Sequence, residues 1–383
     1  MIAIRRTPVG WRKASVALAA VALLASACSS GSDDSSDAAA EETAASGETV
    51  EEEVVEEAPE ETVEESAGGD VAVGYSPKFL KDDFQVLLLD AVETGISDRS
   101  WSLAGAPDAG GDVAKQVADI ENMIAGGASA IVIVPVDGAG VVPAIEQANA
   151  AGIPVFSIDD APSGGQVAAT VRADNVDAGA QGAKEMVARL EQASCWPSDC
   201  IVLELQGGLA TPNGLDRSDG FFDTMQELAP DVQIIQQPTE WTADMAADAT
   251  QNVLTQNPDL DGIFMASELM ASAVNAQLAA AGRDAPVGDP NSVIRVAIDG
   301  TPAGLQLIRD GALDATVSQP LSGYANTTLD LIELINSGGT LEPGDKADGR
   351  VIETEVGPQY QLFATLVTAD NVDDPTLWGN LAG

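Results

Sequence analysis

From residue 71 onward, short apolar runs alternate with longer amphipathic stretches. The runs are 71–75, 130–134, 155–158, 168–171, 201–205, 232–235, 262–266, 294–298 and 315–318. Their hydrophobicity is continuous, the pattern of strands buried on both faces, as in parallel sheets. Between them, 140–151 places Val141, Val142, Ile145 and Ala148 on one helical face. The stretches 174–192, 216–228, 244–254 and 269–281 behave similarly. Several stop at a Gly or just before a Pro, as at Gly152 and Pro258. Repeated βα alternation predicts a doubly wound α/β fold. Roughly 310 residues exceed one comfortable core, so two lobes are expected.

In such sheets ligands bind beyond the carboxyl ends of the strands. Those positions are polar here. Asp159 and Asp160 follow 156–158, Ser267 and Glu268 follow 264–266, Asp299 follows 296–298, and Gln319 follows 316–318. A lone Asp299 before Gly300, Thr301 and Pro302 could be a helix N-cap. Several such residues converging favour a polar ligand pocket.

Charge alters the picture in two ways. The chain carries 17 Lys+Arg against 61 Asp+Glu, a net charge of −44, and it has no histidine and three cysteines. Nucleic acid is excluded as a partner, because phosphate binding needs clustered Lys and Arg. Ser-His-Asp, Cys-His and His-ligated metal chemistry are excluded, as is a four-cysteine zinc site. No metal or other cofactor is expected. The acidity is also uneven. Residues 1–28 hold four bases and no acid, and 29–70 hold 16 acids and no base. The remainder still carries a net −32.

The basic start followed by apolar residues 14–27 has the length of a secretory signal core. It ends in Leu24-Ala25-Ser26-Ala27-Cys28 and resembles a bacterial lipobox, which implies acylation of Cys28. Ordinary secretion with a spare cysteine is the plainer alternative. Residues 29–70, rich in Ser, Asp, Glu and Ala and lacking aromatics, read as an acidic disordered tether. An exported chain meets oxidising conditions, so Cys195 and Cys200 are expected to form a short-loop disulfide.

Further segments carry a family resemblance. They are Ala130 to Asp137, Ala144 to Pro154, Ala173 to Val176, Asn257 to Phe264, Ile298 to Pro302 and Gly311 to Pro320. In this order and spacing they resemble the type I periplasmic sugar-binding proteins, over nearly all of 71–370. The resemblance implies two similar lobes joined by a three-segment hinge near 172–175, 317–321 and 361–366. The N-terminal lobe would be 71–173 plus 320–364, and the C-terminal lobe 174–319 plus 365–383. It implies binding roles for Lys81, Asp82, Phe84, Asp112, Asp159, Asp160, Arg217, Trp241, Ser267, Asp299 and Gln319. Asp160 departs from the ribose-binding pattern, which has arginine there, and Ser267 stands where the family commonly has asparagine. Phe84 and Trp241 would stack on a sugar's apolar face, or else belong to the core. Arg217 would bind hydroxyls, or else form a helix salt bridge. So acidic a pocket would suit a polyol, an amino sugar or another partly cationic ligand.

The implied function is an extracytoplasmic lipoprotein, monomeric, that captures a sugar or polyol and delivers it to an ABC transporter permease. A receptor for a furanosyl autoinducer or a nucleoside is an alternative within the binding class. A two-carboxylate glycosidase is the enzymatic one, though no catalytic motif stands out. Repressors that share this fold need a basic DNA-binding segment, which the sequence replaces with an export signal and an acidic tether.

Overall fold

The computed structural model describes residues 71–381. Cys28 and the segment 29–70 lie outside the described residues. The first lobe opens with β1 (Ala72–Ser76), α1 (Asp83–Asp98), β2 (Ser102–Gly105), α2 (Val113–Ala125), β3 (Ala130–Ile133), α3 (Val142–Ala150), β4 (Val155–Ile158) and β5 (Ala169–Ala173). The chain then builds a second lobe. It runs through α4 (Asn175–Leu190), β6 (Ile201–Gln206), α5 (Pro212–Leu228), β7 (Gln233–Pro238), α6 (Ala243–Gln256), β8 (Gly262–Met265), α7 (Ala271–Ala280), β9 (Ile294–Asp299), α8 (Pro302–Arg309) and β10 (Ala315–Ser318). It returns to the first lobe with α9 (Leu321–Asn336), β11 (Gly344–Asp345), β12 (Gly349–Thr354) and β13 (Gly357–Leu362). It ends in the second with β14 (Thr365–Val367) and α10 (Trp378–Leu381).

The sheet orders show the kinship of the lobes. The first is β11-β12-β13-β5-β4-β3-β1-β2 and the second β14-β10-β9-β8-β6-β7. Within each, five parallel strands follow one doubly wound order, here β2-β1-β3-β4-β5 and β7-β6-β8-β9-β10. The strand order reverses beside β1 and beside β6, where such sheets open a crevice. The chain passes between the sheets three times: after Ala173, after Ser318 and after Leu362.

The continuous apolar runs have a direct cause. Val73, Tyr75, Val132 and Val134 face the core under α1 and α9, while Ile131 and Ile133 face α2 and α3 on the other side. In the second lobe Leu203, Leu205, Ile263 and Met265 pack on one face, and Val202, Phe264, Val296 and Ile298 on the other. Alternate side chains point to opposite faces, and both faces are covered, so apolar residues fill most positions; buried polar exceptions include Ser157, Arg172, Glu204 and Thr316. β2 shows the reverse case: it is an edge strand with exposed residues, and no apolar run marks it.

Cys195 and Cys200 are joined as a disulfide. Asp261 lies near both sulfurs, but the bond uses both thiols, so the three make no metal site.

Candidate functional site

Between the facing carboxyl ends of the two sheets lies a cleft with two chambers. The inner one is small, about 30 Å³, and the outer about 210 Å³. Lys78, Phe79 and Trp241 line both and divide them.

On the first lobe's wall, Asp159 follows β4 and is 2% exposed. Its Oδ2 accepts from Lys78 Nζ at 3.3 Å and from Gln85 Nε2 at 2.8 Å. Its Oδ1 accepts from Asn213 Nδ2 of the opposite lobe at 3.2 Å, and the same amide donates to the Asp159 carbonyl at 2.9 Å. Burial tends to discharge Lys78, but Asp159, Asp160 and Asp82 outweigh it and raise its pKa, so the ammonium stays charged. Asp82 caps α1, accepting from Gln85 N at 2.8 Å, and burial lifts its pKa to about 6.

On the second wall, Asp299 is the last residue of β9. Its Oδ2 accepts from Ser267 Oγ at 2.7 Å and Glu268 N at 3.1 Å; its Oδ1 accepts from Gln319 Nε2 at 2.6 Å and Arg217 at 3.5 Å. Arg217, on α5, also donates to Asn175 Oδ1 at 2.7 Å and to the Ala266 carbonyl at 2.6 Å. Tyr324 Oη donates to Gln319 Oε1 at 2.7 Å and accepts from Ala173 N at 2.8 Å. The acid is thereby linked to two of the three inter-lobe crossings. The helix N-cap is Thr301, not Asp299. Behind this wall Glu268 accepts from Gly300 N, Thr301 N and the hydroxyls of Thr301 and Thr316. Burial, and then Asp299, raise its pKa to about 7.

The aromatic walls are held in different ways. Phe84 is 6% exposed, meets Tyr324 and Trp378 edge-on, and still lines the inner chamber, so it serves both core and cleft. The Trp241 ring lies on the backbone of Gly207 and Gly208. A Cβ at Gly207 would come within 2.1 Å of the ring, and one at Gly208 within 2.5 Å. Lys78 Nζ and the Arg217 guanidinium stand 5.7 and 5.6 Å from its centroid, within cation–π range. Among the described residues five non-glycines have positive φ, and four of them are the cleft residues Asp159, Glu240, Trp241 and Asp299. Strain of this kind gathers where a surrounding structure imposes it for a ligand.

Of the residues expected to bind, Asp82, Phe84, Asp159, Arg217, Trp241, Ser267, Asp299 and Gln319 line the inner chamber. Lys81 and Asp160 line the outer one. Asp112 lines neither. It is exposed and caps α2, accepting from Ala114 N and Lys115 N at 2.8 and 3.1 Å. The cleft also uses Lys78, Phe79, Gln85 and Asn213, which the sequence reading passed over. Gln85 is 1% exposed, and its Oε1 has no partner among the described residues. Asn213 follows Pro212 at the first turn of α5, and a Thr-Pro helix start was a readable signal for it.

Residues 73–339 match the periplasmic binding protein domain family, and the chain belongs to it. These are solute-binding proteins, not enzymes. The chain is 27% identical over 251 residues to the ribose import binding protein of Bacillus subtilis, covering 65% of this chain and 76% of the relative. It is 28% identical to a xylitol-binding protein of Mycolicibacterium smegmatis, covering 69% and 68%. Among solved structures, an ABC transporter solute-binding protein from Mycobacterium smegmatis with bound glycerol superposes with TM-score 0.67 at 25% identity, covering 79% of this chain and 96% of that one. The Caulobacter myo-inositol binding protein shares the fold with TM-score 0.67 at 24% identity, covering 80% and 95%.

Proposed function

We propose that this protein is an extracytoplasmic, monomeric lipoprotein that captures a neutral sugar or polyol in the inter-lobe cleft and presents it to the permease of an ABC importer. The observation that carries the reading is the pair Asp159 and Asp299, one on each wall of a single chamber. Hydroxyls both donate and accept. The chamber offers them carboxylate acceptors, the donors Lys78 and Arg217, the free Gln85 Oε1 and the faces of Phe84 and Trp241. Relatives named for ribose, D-allose and xylitol support the class. A cationic ligand fits less well. Three carboxylates face two cations in the inner chamber, and protein donors already engage each carboxylate. Lipid anchoring rests on the lipobox pattern at Cys28, and delivery to a permease rests on membership of the family.

Thermal denaturation with saturating pentoses, hexoses, polyols, amino sugars and nucleosides tests the reading. A ligand at 100 times its Kd stabilises by about 2.7 kcal/mol, roughly 4 °C for a domain of this size. At least one neutral sugar or polyol should produce such a shift. A shift with nucleosides alone would transfer the reading to a signal receptor, and no shift at all would overturn it.

A further inference from the structure

The C-terminal segment belongs to both lobes at once. Val372 and Leu377 pack in the core of the second lobe, with Leu305 and Ile308 of α8. The next residue, Trp378, is 6% exposed and packs in the core of the first, with Val73, Tyr75 and Phe84. Its ring meets Phe84 edge-on, 5.8 Å between centroids, from behind the cleft wall. Arg309 of α8 fixes the segment to the second lobe. Its Nε donates to Asp373 Oδ1 at 2.9 Å, and its Nη2 donates to the Val372 carbonyl at 3.1 Å and to Asn380 Oδ1 at 2.8 Å. Asn380 Nδ2 closes the turn, donating to the carbonyls of Val372 and Asp374 at 2.9 and 2.8 Å. Gly379 lies so close to the Gly300 carbonyl that a Cβ there would collide with it. The segment therefore touches Phe84 on one wall and the residue after Asp299 on the other.

Separating the lobes must either withdraw Trp378 from Phe84 or break the Arg309 contacts. Withdrawal is the easier route. Trp378 Nε1 is buried without a hydrogen-bond partner among the described residues, so water would supply one as the ring leaves, offsetting part of the lost apolar contact. We infer that residues 372–380 form a clasp anchored on the second lobe, and that Trp378 is a positioning residue whose packing on Phe84 holds the lobes closed over the bound solute. A contact made only in the closed form shifts the population toward it. The clasp rests on the sugar-binding reading above and adds to it the element that sets how long the solute stays.

Stopped-flow dissociation, followed by tryptophan fluorescence, and small-angle scattering of the ligand-free protein test the inference. The probes are ribose, D-allose, xylitol and myo-inositol. Trp378→Ala should raise the dissociation rate of a bound probe about tenfold and leave its association rate within about twofold, because closure follows encounter. It should also enlarge the radius of gyration of the ligand-free protein. Trp378→Phe keeps an apolar ring against Phe84 and should bring dissociation back to within about threefold of wild type. Arg309 is exposed, so Arg309→Met should fold normally while freeing the clasp from α8, and should speed dissociation about threefold. It decides alone if Trp378→Ala does not fold. Dissociation within about twofold of wild type in the folded variants would overturn the inference and leave the sugar-binding reading standing. A lowered melting temperature with wild-type kinetics would likewise assign Trp378 to the core alone. If no probe binds, the sugar-binding reading falls, and scattering still decides the clasp: an unchanged radius of gyration removes it, and an enlarged one upholds it for another solute.

Discussion

The two walls of the cleft solve one problem differently. Asp299 is bonded by Ser267 and Glu268 N from its own lobe, by Gln319 at a crossing, and only loosely by Arg217. Asp159 relies in part on Asn213, which belongs to the other lobe. Asp160 likewise accepts from Asn213 N at 3.3 Å. Opening the lobes would leave the second wall intact and strip the first of a partner. The second wall is therefore the preformed half of the site, and the first is completed by closure.

The largest expected effect follows from removing what holds the preformed wall. Arg217→Met leaves buried Asp299 and the Asn175 and Ala266 oxygens short of a donor. It should lower unfolding free energy by about 3 kcal/mol, read from denaturant melts, and weaken ligand binding at least about 100-fold. Equal stability with lost binding would show that Arg217 is purely a ligand contact. Asn213→Ala attacks the wall completed by closure. Titration should show about tenfold weaker binding, and the apo melting temperature should also fall by a few degrees, because Asn213 Oδ1 accepts from Asn175 Nδ2 of its own lobe at 2.9 Å and from Arg172 Nη2 at 2.7 Å. Unchanged binding would remove the asymmetry between the walls.

Gly207→Ala comes next. Its Cβ would push the Trp241 ring toward the cleft, shifting the tryptophan fluorescence and weakening binding about fivefold. An unmoved spectrum would mean the loop yields instead of the ring.

The smallest effect concerns pH. Burial raises Glu204 and Glu268 each to about 7, above their unfolded value of 4.5. The folded chain holds protons that the unfolded chain has released between those two values. Stability therefore falls as pH rises from about 4.5 to 7 and levels off above. Melting temperature should be a few degrees lower at pH 8 than at pH 5, and Glu268→Gln should flatten part of that slope. A rising melting temperature over the same range would refute the burial assignment.

The asymmetry also marks what could be read in the sequence. The preformed wall was legible because its residues stand at or just past the ends of apolar strands: Ser267 past β8, Asp299 at the end of β9, Gln319 after β10. Asp159 and Asp160 after β4 were legible for the same reason. Lys78 and Phe79 also follow a strand, but their loop is buried by the opposite lobe, which no local pattern reveals. Asn213 was hidden because the apolar spacing suggested a helix starting at 216, whereas Pro212 starts it four residues earlier. Asp112 was expected to bind because the family resemblance places a polar contact there; here its side chain caps α2. The added strands β11, β12 and β13 are largely polar and show no continuous apolar run. The −32 of the folded part is distributed accordingly. The acids at the strand ends mostly bind protein donors, and few oxygens remain for a ligand.

In the proposed function Asp159 and Asp299 jointly hold one hydroxylated ligand between the lobes. Titration calorimetry of wild type, Asp159→Asn and Asp299→Asn, with the sugar or polyol giving the largest thermal shift, tests it most directly. Each substitution should weaken binding by at least about 100-fold, or about 2.7 kcal/mol, while both variants remain folded. Affinity within about twofold of wild type in both variants would contradict it.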